Sequence, residues 1–91
     1  MKYRSQLTII ADVLNMLTDA AGSSNITTIM QKANLPYTRA SPLMAELVEK
    51  GLVERVNNGD ATIFTITKKG SDFLKEFKRF EMFAEGLGLQ L

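Results

Sequence analysis

The chain has 91 residues, 45% of them hydrophobic and 23% charged, with eleven basic and ten acidic side chains, a net charge of +1 and neither histidine nor cysteine. That length and composition suit one globular domain whose modest core a partner chain would supplement. Without His or Cys the commonest general base, thiol nucleophiles, disulfides and most zinc sites are gone, and no paired-acid motif or glycine-rich phosphate loop replaces them, so nothing asks for catalysis, a metal or a cofactor.

No apolar run approaches 18 residues, and the opening MKYRSQLTII lacks the apolar core of a signal peptide, so a cytoplasmic protein with no membrane partner is expected. The calculated pI is about 8.0. Nucleic-acid-binding domains often exceed about 9. What matters is therefore whether the basic residues gather on one face.

In chain order, a helix is predicted over residues 6–21, with Ser5 as N-cap and Lys2, Tyr3 and Arg4 before it as a small basic arm. Leu7, Ile10, Ala11, Leu14 and Leu17 form one apolar stripe. Ile9, Val13, Met16 and Ala20 form a second, so the apolar arc suits a helix wedged between two neighbours. Gly22, Ser23, Ser24 and Asn25 carry turn chemistry, and Thr27 is a candidate cap for the second helix.

Residues 26–50 hold two short helices. Ile26, Ile29, Met30 and Ala33 fall at i, i+3, i+4 and i+7. Asn34 suits a left-handed turn and Pro36 blocks continuation. Ala40, Leu43, Met44, Leu47 and Val48 then repeat the helical spacing until Gly51 stops it. This is the helix-turn-helix pattern. Pro42 leaves two starts open for the second helix of the pair. Capping logic favours Ser41 as N-cap with Pro42 at the first position and residues 37–40 as a separate turn. The apolar phase, which already includes Ala40, favours a start near Thr38 with a distortion at Pro42. The face not used for packing is Thr38, Arg39, Ser41, Pro42, Ala45, Glu46 and Glu49, and the first of these would reach a major groove if the module binds DNA.

Residues 52–57 alternate and residues 61–67 are β-branched and aromatic, with Asn58-Gly59-Asp60 between them, a strong hairpin signal. Phe64 and Ile66 are expected on one face, Ile63, Thr65 and Thr67 on the other. A helix-turn-helix followed by a hairpin is the order of a winged helix, the hairpin being the wing; a hairpin that merely covers the core is the alternative. Thr67 should cap the last helix, running from Lys68 to about Glu85, with Gly70 in its first turn where a glycine costs least. Phe73, Phe77, Phe80, Ala84 and Leu87 are spaced 4, 3, 4 and 3, a coiled-coil seam flanked by Leu74 and Phe83. Its distal part has no evident partner within so small a chain, which predicts self-association; the alternative is packing on Val13 and Met16. Gly86 and Gly88 end the helix, and Leu87, Leu89 and Leu91 form a short apolar tail.

These residues resemble the small archaeal winged-helix regulators that include the 10a-type dimeric chromatin proteins. The resemblance runs nearly end to end. It is carried by Arg4-Ser5, Ile10 and Leu14, Thr27-Thr28-Ile29-Met30, Ala33-Asn34-Leu35-Pro36-Tyr37, Leu47 with Gly51-Leu52-Val53, and Phe64-Thr65-Ile66-Thr67-Lys68-Lys69-Gly70. The chain departs from the family at Pro36, where serine is usual, at Pro42, and in its shorter last helix. The resemblance implies double-stranded DNA as ligand, bound by the two wings and two recognition helices of a dimer whose last helices pair antiparallel. By position it implies that Thr28, Tyr37, Thr38 and Arg39 contact DNA and that residues 55–58 belong to the wing.

The expected fold is thus mainly α with a small β-hairpin: a winged helix-turn-helix over 1–91, with the helix-turn-helix at about 26–50, the wing at 52–67 and a dimerisation helix at 68–86. The expected protein is a homodimeric, nucleoid-associated transcriptional regulator or chromatin component without cofactor or small-molecule ligand. The candidate DNA-binding residues are Arg4, Thr28, Lys32, Tyr37, Thr38, Arg39, Ser41, Arg55, Asn57 and Asn58; the candidate interface is Phe73, Phe77, Phe80, Phe83, Ala84 and Leu87. Arg39 is the best placed for direct readout, since arginine can pair bidentately with guanine; its plain alternative is a solvated cation at a helix start. The alternative function is a docking module that binds protein and not DNA. An enzyme would need an unpredicted cleft of convergent polar groups.

Overall fold

The computed structural model describes residues 6–90. Ser5, the expected first N-cap, and the basic arm of Lys2, Tyr3 and Arg4 lie outside them. Seven elements run in order: α1 (Gln6–Asp19), β1 (Ser23–Asn25), α2 (Ile26–Ala33), α3 (Tyr37–Glu49), β2 (Val53–Asn58), β3 (Ala61–Ile66) and α4 (Lys68–Gly86).

Helix α1 is the centre of the packing, as its wide apolar arc requires. Val13, Leu14 and Leu17 are fully buried, and Ile9, Ile10 and Ala11 nearly so. Each of these valine, leucine and isoleucine side chains withdrawn from water contributes about 1.5–3 kcal/mol. Two members of the expected pattern behave otherwise. Leu7 is 55% exposed, facing an open groove with Phe73 between α1 and α4. The helix stops at Asp19, two residues early, because Ala21 enters the left-handed region at φ 62° and the Gly22 N–H bonds back to the Leu17 carbonyl at 2.7 Å.

Residues 23–25, expected as a turn, form an edge strand. The sheet is antiparallel in the order β1-β3-β2, with Ser23 opposite Thr65, Ser24 opposite Phe64 and Asn25 opposite Ile63. Ser-Ser-Asn has no apolar alternation; it pairs because the edge of β3 offers unpaired backbone groups. The Ser23 and Thr65 hydroxyls meet at 3.0 Å. The cap of α2 is Asn25, not Thr27: its Oδ1 accepts the Thr28 N–H at 2.8 Å.

Asn34 adopts the left-handed conformation (φ 56°, ψ 49°) that ends α2, and the chain then delivers Leu35 to the core. Helix α3 starts at Tyr37 with Pro36 in the cap position, and runs continuously through Pro42. The late start at Ser41 is therefore corrected. Ala40, Leu43, Met44 and Leu47 are buried on one face, and burying Ala40 requires helix before Pro42. Gly51, at φ 80°, ends α3, with its own N–H on the Val48 carbonyl and the Leu52 N–H on the Leu47 carbonyl.

Strands β2 and β3 pair from Val53–Ile66 to Asn58–Ala61, leaving a two-residue Gly59-Asp60 loop with Gly59 at φ 67°. Val53, Phe64 and Ile66 face the core cluster. Helix α4 is capped by Thr67, whose Oγ1 accepts the Gly70 N–H at 3.0 Å and donates to the Gly51 carbonyl at 2.6 Å. Leu74, Phe73 and Phe77 pack on the core, the two phenyl rings stacked at 6.0 Å. At 19 residues α4 is about 28 Å long. The domain measures 48 × 30 × 22 Å.

Candidate nucleic-acid interface

Because α3 buries Ala40, Leu43, Met44 and Leu47, it presents Thr38, Pro42, Ala45 and Glu49 outward as an exposed ridge. An open groove flanks this ridge on each side. On the wing side, a concavity of about 270 Å³ is lined by Ile26, Tyr37, Ser41, Arg55, Thr62 and Phe64. On the α1 side, one of about 240 Å³ is lined by Gln6, Ile9, Leu35, Arg39, Pro42, Leu43 and Glu46.

The wing-side groove has a built wall. Arg55 stands opposite Phe64 in the β2–β3 register, and Asn57 opposite Thr62, so these four side chains leave the same face of the hairpin. The Arg55 guanidinium lies over the Phe64 ring, 5.5 Å from its centroid. The Thr62 hydroxyl donates to Asn57 Oδ1 at 3.3 Å. Tyr37 and Ser41, one turn apart on α3, form the other wall, and Tyr37 is 59% exposed.

The expected site residues are thus brought together in part. Tyr37, Ser41 and Arg55 share one groove; Thr38 is on the ridge beside it. Arg39 turns to the opposite flank, where Glu46 also lies, although Glu46 is paired with Lys50 at 3.6 Å. Lys32 is exposed in the last turn of α2 and lines neither groove. Thr28 gives its backbone N–H to the α2 cap, and Asn58 pairs with Ala61 at the wing tip. Arg4 lies outside the described residues. Lys32, Arg39 and Arg55 form no ion pair with another described residue. Five of the eleven basic side chains sit on α4: Lys68, Lys69, Lys75, Lys78 and Arg79. Sequence reasoning missed Phe64 and Thr62 as parts of this wall. The register of the expected hairpin could have found them, since it sets Phe64 against Arg55.

The interface candidates on α4 divide. Phe73 and Phe77 are half-buried on their own core and Ala84 is buried, whereas Phe80, Phe83 and Leu87 are each more than half exposed, with Met82 beside them. Among the described residues, no group of acidic side chains could hold a metal ion, and no helix is long and apolar enough to cross a membrane.

The sequence pattern of the winged helix-turn-helix family matches residues 3–85. Curated proteins give no match. Among solved structures, the chain is similar to Sso10a-2, a DNA-binding protein from Sulfolobus solfataricus, at 25% identity and a TM-score of 0.79, over 92% of this chain and 85% of that one. It is also similar to Sco5413, a MarR family transcriptional regulator from Streptomyces coelicolor, at 27% identity and a TM-score of 0.77 over 87% of this chain; it spans 57% of that protein's length. The fold recurs in F93 from STIV, a winged-helix DNA-binding protein, at 16% identity and a TM-score of 0.72 over 87% and 90% of the two chains.

Proposed function

Because the chain belongs to the winged helix-turn-helix family, we propose that it binds duplex DNA as a homodimer, as a transcriptional regulator or a chromatin-associated protein. The observation that carries this reading is the groove in which Tyr37 and Ser41 of α3 meet Arg55 of the wing with no carboxylate among its lining residues. Helix α3 enters the major groove by its N-terminal half, where Thr38 and Arg39 reach base edges and Tyr37 and Ser41 face the backbone. The wing, with Arg55, Asn57 and Asn58, lies against the adjoining backbone, Lys32 and Thr28 add contacts at the margin, and Arg4 contributes a further cation. Two copies join through Phe80, Phe83 and Leu87 of α4, which doubles the few cations each copy offers.

Binding to random-sequence duplex, followed by fluorescence anisotropy over a range of salt, tests this. Lys32 and Arg55 from two protomers, as phosphate contacts, give a slope of log affinity on log salt of about −4, at roughly −0.9 per phosphate neutralised. Arg39→Ala is expected to weaken binding and to relax discrimination at the base pair it reads by about 1–3 kcal/mol, with the slope nearly unchanged. Unchanged affinity at low salt would remove Arg39 from the site.

A docking module is the second reading. It is favoured by the distribution of the cations, of which Arg39 lies across α3 from Arg55 and five lie on α4. No binding to any duplex at low salt, operator candidates included, is the outcome that selects it.

A further inference from the structure

We propose that Phe64 is a positioning residue: its ring holds the Arg55 guanidinium at the mouth of the groove between α3 and the wing, so that a DNA phosphate meets a cation already in place. The inference deepens the DNA-binding reading and rests on it. Arg55 and Phe64 are cross-strand partners, so their side chains leave the same face side by side. The 5.5 Å from guanidinium to ring centroid is within the range, about 6 Å, where the ring quadrupole attracts a cation. The ring is itself fixed. Phe64 is only 4% exposed and sits on the central strand, with Ser24 opposite it on β1. Arg55, by contrast, is exposed on the edge strand, where an unsupported arginine has many rotamers to lose on meeting a phosphate.

A guanidinium held over a ring by the ring's quadrupole spends no N–H on a carboxylate, and Arg55 has no ion pair with another described residue, so its N–H fork is left for bidentate bonding to a phosphate. Tyr37 and Ser41 bring two hydroxyls to the same groove, so one phosphate can be held from helix and wing together. No carboxylate lines the groove to compete for the arginine.

The test is a double-mutant cycle on DNA affinity at fixed salt with wild type, Arg55→Ala, Phe64→Leu and the double variant. Phe64→Leu is expected to weaken binding roughly two- to five-fold, the size of one exposed cation–π contact, and to change nothing further once Arg55 is alanine. Phe64→Tyr, which keeps the ring, restores affinity. In free wild-type protein the Arg55 side-chain protons should resonate upfield from ring-current shielding, and lose that shift in Phe64→Leu. Equal losses in both Arg55 backgrounds, or unshifted Arg55 protons, overturn the inference while leaving DNA binding intact; wild type that binds no DNA overturns both. Should Phe64→Leu not fold, Arg55→Lys replaces it: the charge is kept and the planar guanidinium over the ring lost, and affinity equal to wild type overturns the inference.

Discussion

Among single residues, the positions that matter most are those where the backbone leaves no choice. Gly70 shows this. A Cβ there would run into the Leu52 carbonyl oxygen and stand 2.9 Å from Ile66 Cγ1. The glycine is therefore required by the close approach of α4 to the segment that leaves α3, not merely tolerated in a first turn. Gly70→Ala should destabilise by roughly 1–3 kcal/mol through overpacking, read as a lower denaturation midpoint at unchanged m-value; an unshifted midpoint would mean the loop yields without cost. Ala21 is the opposite case. It holds a left-handed conformation that costs an L-residue about 1–2 kcal/mol. Ala21→Gly should stabilise by about 1 kcal/mol once the entropy of the unfolded glycine is subtracted, raising the thermal midpoint; a lower midpoint would show that the alanine methyl contributes packing that outweighs the strain.

Among the elements, α3 is a compromise between its two faces. Its inner face demands helix from Tyr37 onward, since Ala40 is fully buried, while Pro42 on the outer face removes one backbone hydrogen bond and crowds the Thr38 carbonyl. Packing prevails because the apolar side chains bracketing Pro42 are worth several kcal/mol together against about 3 for an interior proline. Pro42→Ala should therefore raise stability, by about 2 kcal/mol in chemical denaturation; no gain would mean that the helix bends around the proline without strain. Strand β1 makes the complementary point. Ser-Ser-Asn carries no strand signal, and it is the free edge of β3 beside it that makes a strand of those three residues.

In the molecule as a whole, which measures 48 × 30 × 22 Å, α4 divides into a part that packs on the core and a part that does not. Its proximal aromatics complete that core; its distal ones, Phe80 and Phe83, remain uncovered within one chain, as does Leu87 after them. Phe80→Asp combined with Leu87→Asp should give monomer in sedimentation, with helical content retained since neither side chain is buried within its own chain, and with a thermal midpoint that no longer depends on protein concentration. A mass unaltered by the double substitution would discard this surface as the interface.

The winged-helix order was legible from residue spacing alone. Helical and alternating periodicities located three of the four helices and both wing strands within a residue or two, and Asn34, Gly51 and Thr67 marked their ends. These signals are local, because the spacing of apolar side chains and the left-handed or capping residue act within one element. How residues far apart in sequence meet was left to the packing of the elements. Packing settled the start of α3 in favour of burial over capping, made a strand of Ser23–Asn25, and turned Gly70 into a point of close contact. It also separated Arg39 from Arg55 onto opposite flanks of one helix, and set Arg55 against Phe64. A side chain's flank depends on helix rotation against the core, and a strand's partner on the edge that three-dimensional packing leaves open. Neither is written in the spacing of residues along the chain.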